Sequence, residues 1–403
     1  MATTSMTQQI VPPATIGMLG GGQLGRYALM AASAMGYRTV VLDPDPSAPA
    51  GAHANDHLVA AYDDHASLDR LLRECDVVTT EFENPPAAVL ERLAATTRVA
   101  PRPASVAVAQ DRIAEKAFLV DNGFPVGSFA VIADGSDNQS GIASGTGLSS
   151  VVAGGAIVKT ARLGYDGKGQ RSVDSVAGVH AALAELGGVD CVVESRLDLR
   201  AELSVIIART VDARVEWWPV AENRHVGGVL DLTVVPARVD PLLADRAIGL
   251  AMAIGDALDY VGVLAVEFFV VAGHDGDDSL LVNELAPRPH NSGHWTLDAS
   301  VTSQFEQQIR AVCGVGLGDT SMTAPAVAMA NLLGDLWLPS GGDGRVREPR
   351  WEAIFDDPHA TLHLYGKSQP RPGRKMGHVT VTADTPDQAE RRVVALREAL
   401  LAR

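Results

Sequence analysis

Apolar and polar positions alternate with two different periods along the chain. The opening stretch sets short apolar runs, TIGMLG at 15–20, RTVVLDPD at 38–45 and VVTTEFEN at 77–84, between segments with helical spacing that reach Met35 and cover SLDRLLRECD at 67–76. Strand–helix alternation of this kind predicts a parallel, doubly wound sheet. From residue 156 onward strand-like runs dominate: AIVKTA, CVVESRL, ELSVIIAR, VEWWPVAE and AVEFFVV, interrupted by a helical pattern around Asp245 to Tyr260. This middle reads as α+β. The tail ATLHLYGKSQPRPGRKMGHVTVTA at 360–383 is again strand-rich, and an amphipathic helix from Thr385 closes the chain. The Gly/Ser-rich stretch 133–150 reads as a surface loop, and GGDGR at 341–345 as a break. The pattern predicts three domains, at 1–110, 111–325 and 326–403.

Length and composition agree with this and remove other classes. A chain of 403 residues with 46% hydrophobic and 20% charged residues can build large cores, which excludes a mainly disordered protein. The 33 basic and 49 acidic residues leave a net charge of −16, so attraction to nucleic acid or an anionic membrane is not expected. An anionic ligand must be held by a few local cations. Cys75, Cys191 and Cys313 lie too far apart in sequence for a zinc or redox motif, which fits a reducing compartment. The N-terminal residues lack the features of a signal or transit peptide, and the run 261–273 is too short for a bilayer and carries Glu267. A cytoplasmic location is the expectation.

Candidate chemistry begins at Gly20, Gly22 and Gly25, which follow a strand and open a helix, where backbone N–H groups can face an anion. A phosphate site is one reading, a dinucleotide site with Asp43 at the ribose another, and close helix–strand packing a third. Gly366, Lys367 and Ser368 lack the first glycine of a Walker loop, so no P-loop is expected. His290 and His294 have helical ligand spacing, but Pro289 and Gly293 argue against a helix and no HExxH is present.

In the middle third, Lys159 lies in an apolar strand, where a cation needs an anionic partner. The stretch 162–171, RLGYDGKGQR, puts Gly164, Gly167 and Gly169 around Lys168, a loop able to bend over phosphates. Glu267 and Glu284 sit at strand positions of a hairpin-like unit and suggest Mg²⁺ bridging nucleotide phosphates. Each piece also has a plain structural reading, as half of an ion pair or as a turn. Their order along the chain favours the nucleotide.

With these residues in place the sequence resembles the ATP-grasp superfamily and, within it, the 5-(carboxyamino)imidazole ribonucleotide synthases. The resemblance spans nearly the whole chain. It rests on GGGQLGR at 20–26, TTEFEN at 79–84, QDR at 110–112, AIVKT at 156–160, GYDGKGQ at 164–170, VVES at 192–195, NELAPRPHNSGHWT at 283–296 and RPGRKMGH at 371–378.

The resemblance implies an ATP-grasp fold with an N-terminal doubly wound domain and a small strand-rich C-terminal domain. It also implies an ATP-dependent ligase of purine biosynthesis that carboxylates 5-aminoimidazole ribonucleotide with bicarbonate through carboxyphosphate. ATP would meet Arg112, Lys159, the loop Gly164, Tyr165, Asp166, Gly167, Lys168, Gly169 and Gln170, the strand end Glu194, Ser195, Arg196 and Leu197 at the adenine, Glu202 at the ribose, and Asn283 and Glu284. Glu267 and Glu284 would hold Mg²⁺, and Arg288, Lys159 and Asp166 would be catalytic. The ribonucleotide would meet Gln23, Glu81, Tyr165, Asp166, His290, Lys367 and Arg374. A homodimer that passes its product to a mutase is also implied. Many ATP-grasp enzymes carry an Asn metal ligand two residues after the second Glu; here that residue is Ala286, and Asn283 and Asn291 are the substitutes at hand. The rivals are a formate-using transformylase of the same superfamily, an NAD-dependent oxidoreductase, and a noncatalytic nucleotide sensor.

Overall fold

A computed structural model describes residues 8–133, 147–164, 168–273, 277–338 and 346–401. The loop assigned to 133–150 and the break at 341–345 therefore lie largely or wholly outside the described residues.

The first sheet has five parallel strands in the order Asp56–Leu58, Arg38–Leu42, Thr15–Leu19, Val77–Thr80, Arg98–Val99. This is the doubly wound arrangement expected. Its inner strands are almost wholly buried on both faces, which is why they read as continuous apolar runs. The order reverses at Thr15–Leu19, so the ends of that strand and of Val77–Thr80 open the crevice where such sheets place ligands.

A second, antiparallel sheet of four strands runs Phe129–Ile132, Cys191–Ser195, Ala156–Thr160, Gln170–Val173. The third is a nine-stranded antiparallel sheet. Its main path is Asp278–Ala286, Gly262–Ala272, Leu199–Arg209, Ala221–Val226, Val229–Val235, Ala326–Leu333, Lys375–Ala383, Ala360–Leu364, with Val215–Trp217 added on Leu199–Arg209. The tail thus joins the central sheet edge to edge through Val229–Val235 and Ala326–Leu333. The segment VEWWPVAE, which reads as one strand, is split after Trp217 and resumes at Ala221. Pro219, between the two pieces, has no N–H to give to a ladder.

Side-chain caps open the helices that flank the site. Asp111 accepts from Ile113 N and Ala114 N and opens the helix Arg112–Asp121. Asp240 caps Pro241–Ala257, whose buried Leu243, Ala247, Ala251 and Ile254 form one stripe against the central sheet. The N-terminal sheet is fastened by Gln23–Ala34 packing on Gln304–Cys313, with Tyr27, Phe305 and Ile309 in one core.

Tyr27 also belongs to a ring cluster that joins all three parts of the chain. His363 stacks on His378 with centroids 4.5 Å apart, His294 lies 5.0 Å from His378, and Tyr365 Oη is 2.9 Å from His378 Nδ1. Burial holds His294 and His378 well below the ordinary imidazole pKa, so both are neutral when folded. Unfolding frees them to take up protons as pH falls through about 6.5, so stability they contribute above that value is lost below it. Buried Glu115 and Glu267, whose pKa values are raised, act in the opposite sense over the same window. The histidine contribution is therefore read as a difference: between pH 6.5 and 5, stability of His378→Gln should fall less steeply than wild type by up to about 1.4 kcal/mol per pH unit. Denaturant titrations across that range check it, and parallel curves would contradict it.

Candidate active site

The hairpin of Gly262–Ala272 and Asp278–Ala286 sets the centre of the site. Glu267 and Glu284 face each other across it, but the next pair is Phe268 with Val282, so Asn283 is an extra residue. This is a β-bulge, which re-aims a side chain. Leu280, Val282 and Leu285 pack in the core beneath, and the three-residue step from 282 to 285 turns Asn283 and Glu284 to the other face. Asn283 Nδ2 donates to Glu267 Oε2 at 3.3 Å. Burial, and then the charge of Glu284, raise the Glu267 carboxyl to about 7. His290 Nε2 lies 3.4 Å from Glu267 Oε1 and burial keeps that ring neutral, so it supplies no compensating charge.

Among the described residues, Asn283 Oδ1 and both amide atoms of Asn291 are buried without a partner. Two carboxylates and unpaired amide oxygens form a hard oxygen donor set that fits Mg²⁺. Asn283 and Asn291 both line the same cleft as the two carboxylates.

The second sheet brings cations to this hairpin. Lys159 Nζ donates to Glu194 Oε2 at 2.5 Å, and Lys116 Nζ lies 3.0 Å from Glu194 Oε1. Burial would raise the Glu194 pKa, but the two lysines hold it at about 2. Glu194 is therefore an ionised anchor for Lys159, a side-chain role not read from its sequence position. Ser195 N and Arg196 N donate to Ser128 O and Gly155 O, Ser195 Oγ donates to Val151 O, and Arg196 pairs with Asp174. Neither side chain enters the cleft. Arg112 donates to Thr160 O and Gly164 O, and its Nη2 lies 3.6 Å from Glu284. Gly169 has φ +71°, and a Cβ there would stand 2.6 Å from Thr160 Oγ1, so this end of the loop requires glycine. Tyr165, Asp166 and Gly167 lie outside the described residues. Glu202 Oε2 is 2.8 Å from His225 Nδ1; burial disfavours the charged ring, but Glu202, Glu267 and Glu284 raise its pKa.

The first glycine loop corrects one expectation. Gly22 N and Gly25 N donate to Glu81 at 2.7 and 2.9 Å, and Gly21 N donates to Asp43 at 2.7 Å. The anion facing these N–H groups belongs to the chain itself, and a Cβ on Gly22 would lie 2.5 Å from Glu81 Oε1. Asp43 is also held by Tyr62 Oη, which leaves no pyrophosphate cradle and removes the dinucleotide reading. Two residues after Glu81, Glu83 accepts from Arg288 Nε at 2.5 Å. Burial opposes the Glu83 charge, but Arg288 lowers its pKa below the usual carboxylate range.

All these elements open on one cleft of about 1060 Å³. It is lined by Gln23, Glu81, Arg112, Lys159, Gly164, Lys168, Gln170, Glu202, Glu267, Asn283, Glu284, Arg288, His290, Lys367 and Arg374. Asn291 lines it as well, and so do Glu115, His225, Arg371 and Lys375, which were not singled out from the sequence. His294 turns away into the ring cluster, so the His290/His294 pair is not a shared metal site.

Two sheets closing on a charged cleft, with a carboxylate pair on one and a lysine on the other, define an ATP-grasp ligase. Residues 117–305 match the ATP-grasp domain, 13–110 the ribonucleotide synthetase preATP-grasp domain, and 327–392 the phosphoribosylaminoimidazole carboxylase C-terminal domain. An N5-carboxyaminoimidazole ribonucleotide synthase of Brucella melitensis is 42% identical over 92% of this chain and 96% of its own. The Staphylococcus aureus N5-carboxyaminoimidazole synthetase complexed with ADP superposes with TM-score 0.86 at 34% identity, over 98% of this chain and 100% of that one. The Aspergillus clavatus N5-carboxyaminoimidazole synthase in complex with ADP and 5-aminoimidazole ribonucleotide gives TM-score 0.82 at 28% identity, over 96% and 98%. The chain belongs to the N5-carboxyaminoimidazole ribonucleotide synthase family. No helix among the described residues is long and apolar enough to cross a membrane.

Glu284→Gln keeps the shape of the side chain and removes its charge. Turnover should fall by about 100-fold or more with the fold retained, because charge on the transferring phosphoryl group loses its counter-ion. Rates at saturating Mg²⁺ and a thermal melt check this; near-normal turnover would refute the assignment.

Proposed function

We propose that this chain carboxylates 5-aminoimidazole ribonucleotide at its exocyclic amine with ATP and bicarbonate, releasing ADP and phosphate, in purine biosynthesis. The observation that carries the reading is the convergence, in one cleft, of the Glu267/Glu284 pair, Lys159, Arg288 and the Lys367/Arg374 cations. The division into units at 110/111 and 325/326 is part of the proposal. So are a cytoplasmic location, a homodimer, and delivery of the product to a mutase.

In this reading ATP lies between the small sheet and the hairpin. Lys159 and Arg112 contact its phosphates, Gly164 to Gln170 covers them, Glu202 takes the ribose hydroxyls, and the backbone from Glu194 to Leu197 borders the adenine. Glu267 and Glu284, with Asn283 or Asn291, would hold Mg²⁺, which when bound draws negative charge off the phosphates. Arg288, fixed by Glu83, binds bicarbonate and orients its oxygen toward the γ-phosphorus. The O–P bond that forms gives carboxyphosphate as the bond to ADP breaks. Its carboxyl carbon, released as CO₂, then meets the amine, which becomes the carbamate as it loses a proton; Asp166 is the proposed acceptor. Carboxyphosphate is labile in water, so the cleft must be covered during turnover.

The ribonucleotide would lie on the other side, near Gln23, Glu81 and His290, with Tyr165 and Asp166 assigned to its aminoimidazole and Lys367 and Arg374 to its phosphate. Lys367 Nζ donates to Lys375 O and Arg374 donates to Gln369 O, which fixes both stems at the cleft. In a protein of net charge −16 the attraction for this phosphate is local.

ADP release should require the ribonucleotide and rise with bicarbonate; release indifferent to both would refute the reaction. Arg374→Ala should raise the KM for the ribonucleotide about 10-fold or more while that for ATP holds, since one charge-assisted contact is lost at one substrate only. Both constants measured on one preparation decide it, and a defect confined to ATP would overturn the placement.

A further inference from the structure

We propose that Glu115 and Lys116 are positioning residues that clamp the backbone on either side of Glu284 and hold it in register with Lys159. The inference rests on the reading of Glu284 as a metal ligand.

Among the described residues the strand Asp278–Ala286 is an edge of the large sheet, and its outward N–H and C=O groups meet no further strand beyond a single bridge of Val282 to Val126. Ahead of the bulge, Val282 N donates to Pro125 O at 2.7 Å. The extra residue at Asn283 shifts the pattern, so that Asn283 C=O and Leu285 N–H face the helix Arg112–Asp121. That helix meets both: Leu285 N donates to Glu115 Oε1 at 2.6 Å, and Lys116 Nζ donates to Asn283 O at 2.9 Å. Adjacent residues of one helix thus take the acceptor and the donor flanking a single functional residue.

Both side chains are buried, with Glu115 2% and Lys116 3% exposed, and burying an acid and an amine costs stability that an apolar pair would not. The cost is matched by reach. Lys116 also touches Glu194, which holds Lys159, so an unbroken chain of contacts runs from the backbone at Glu284 to the phosphate-facing lysine of the other sheet. A displacement of about 1 Å between such groups is enough to cost much of the rate. Outer contacts of this kind tune metal affinity by about 10- to 100-fold when lost.

The test reads metal binding apart from turnover. Mn²⁺, which reports by electron paramagnetic resonance, is titrated with ADP into wild type, Glu115→Leu, Glu115→Gln, Lys116→Met and Glu284→Gln, alongside KM for ATP and for the ribonucleotide. Glu115→Leu and Lys116→Met should loosen Mn²⁺ about 10-fold or more and raise KM for ATP, leaving KM for the ribonucleotide unchanged. Glu115→Gln retains an acceptor oxygen for Leu285 N and should restore Mn²⁺ affinity. Should Glu115→Leu fail to fold, Lys116→Met against Glu115→Gln carries the same comparison. Wild-type Mn²⁺ affinity in Glu115→Leu and Lys116→Met, with only lower thermal midpoints, would overturn the clamp. If Glu284→Gln also binds Mn²⁺ normally, the metal reading itself fails.

Discussion

Glu267 is buried opposite the charge of Glu284 on one hairpin, so its own negative charge is costly there, and the rest of the cleft is arranged around that constraint. Burial, and then the charge of Glu284, push the Glu267 carboxyl up to about 7. The nearest imidazole, His290, is held neutral by burial and cannot supply the charge. In the proposed reading a divalent cation bound with nucleotide phosphates would resolve the conflict, the carboxylates meeting the metal and the phosphates meeting Lys159 and Arg112. That relief would favour binding metal and nucleotide together.

The same accounting extends to the neighbouring parts. Glu194 stays ionised because two lysines face it, and Glu83 because Arg288 does. Glu81, buried against the first glycine loop, is pushed up by burial despite the N–H groups of Gly22 and Gly25. Glu81 and Glu83 lie two residues apart on the strand end that links the N-terminal sheet to the central cleft. The segment that holds the first glycine loop in place is therefore the same one that fixes Arg288.

Much of this was legible in the sequence because backbone period and charge placement carry it. The apolar runs marked the parallel strands, Thr385 marked the start of the closing helix, and Glu267, Glu284, Lys159 and Arg288 stood out as charges in apolar or motif settings. What the sequence hid was pairing. The step from Val282 to Leu285 signals a bulge only once a partner strand sets the register, and without it Asn283 would have opposed Glu267. Glu115 and Lys116 look like ordinary polar helix positions until the helix is laid on a sheet edge. The glycine loop looked ready for a phosphate because nothing in 20–26 reveals that Glu81, about sixty residues on, already takes its N–H groups. The strand pairing that ties the tail to the central sheet, between Val229–Val235 and Ala326–Leu333, was hidden because its partners lie far apart in sequence.

The central claim is that this balance of buried charge serves phosphoryl transfer to bicarbonate. Following the oxygen tests it most directly: turnover with ¹⁸O-labelled bicarbonate, ATP and the ribonucleotide, with the released inorganic phosphate analysed by mass spectrometry. Attack by a bicarbonate oxygen on the γ-phosphorus predicts one ¹⁸O in each phosphate formed in productive turnover. Phosphate that carries label only from ¹⁸O-water, in step with carbamate formation, would contradict the account.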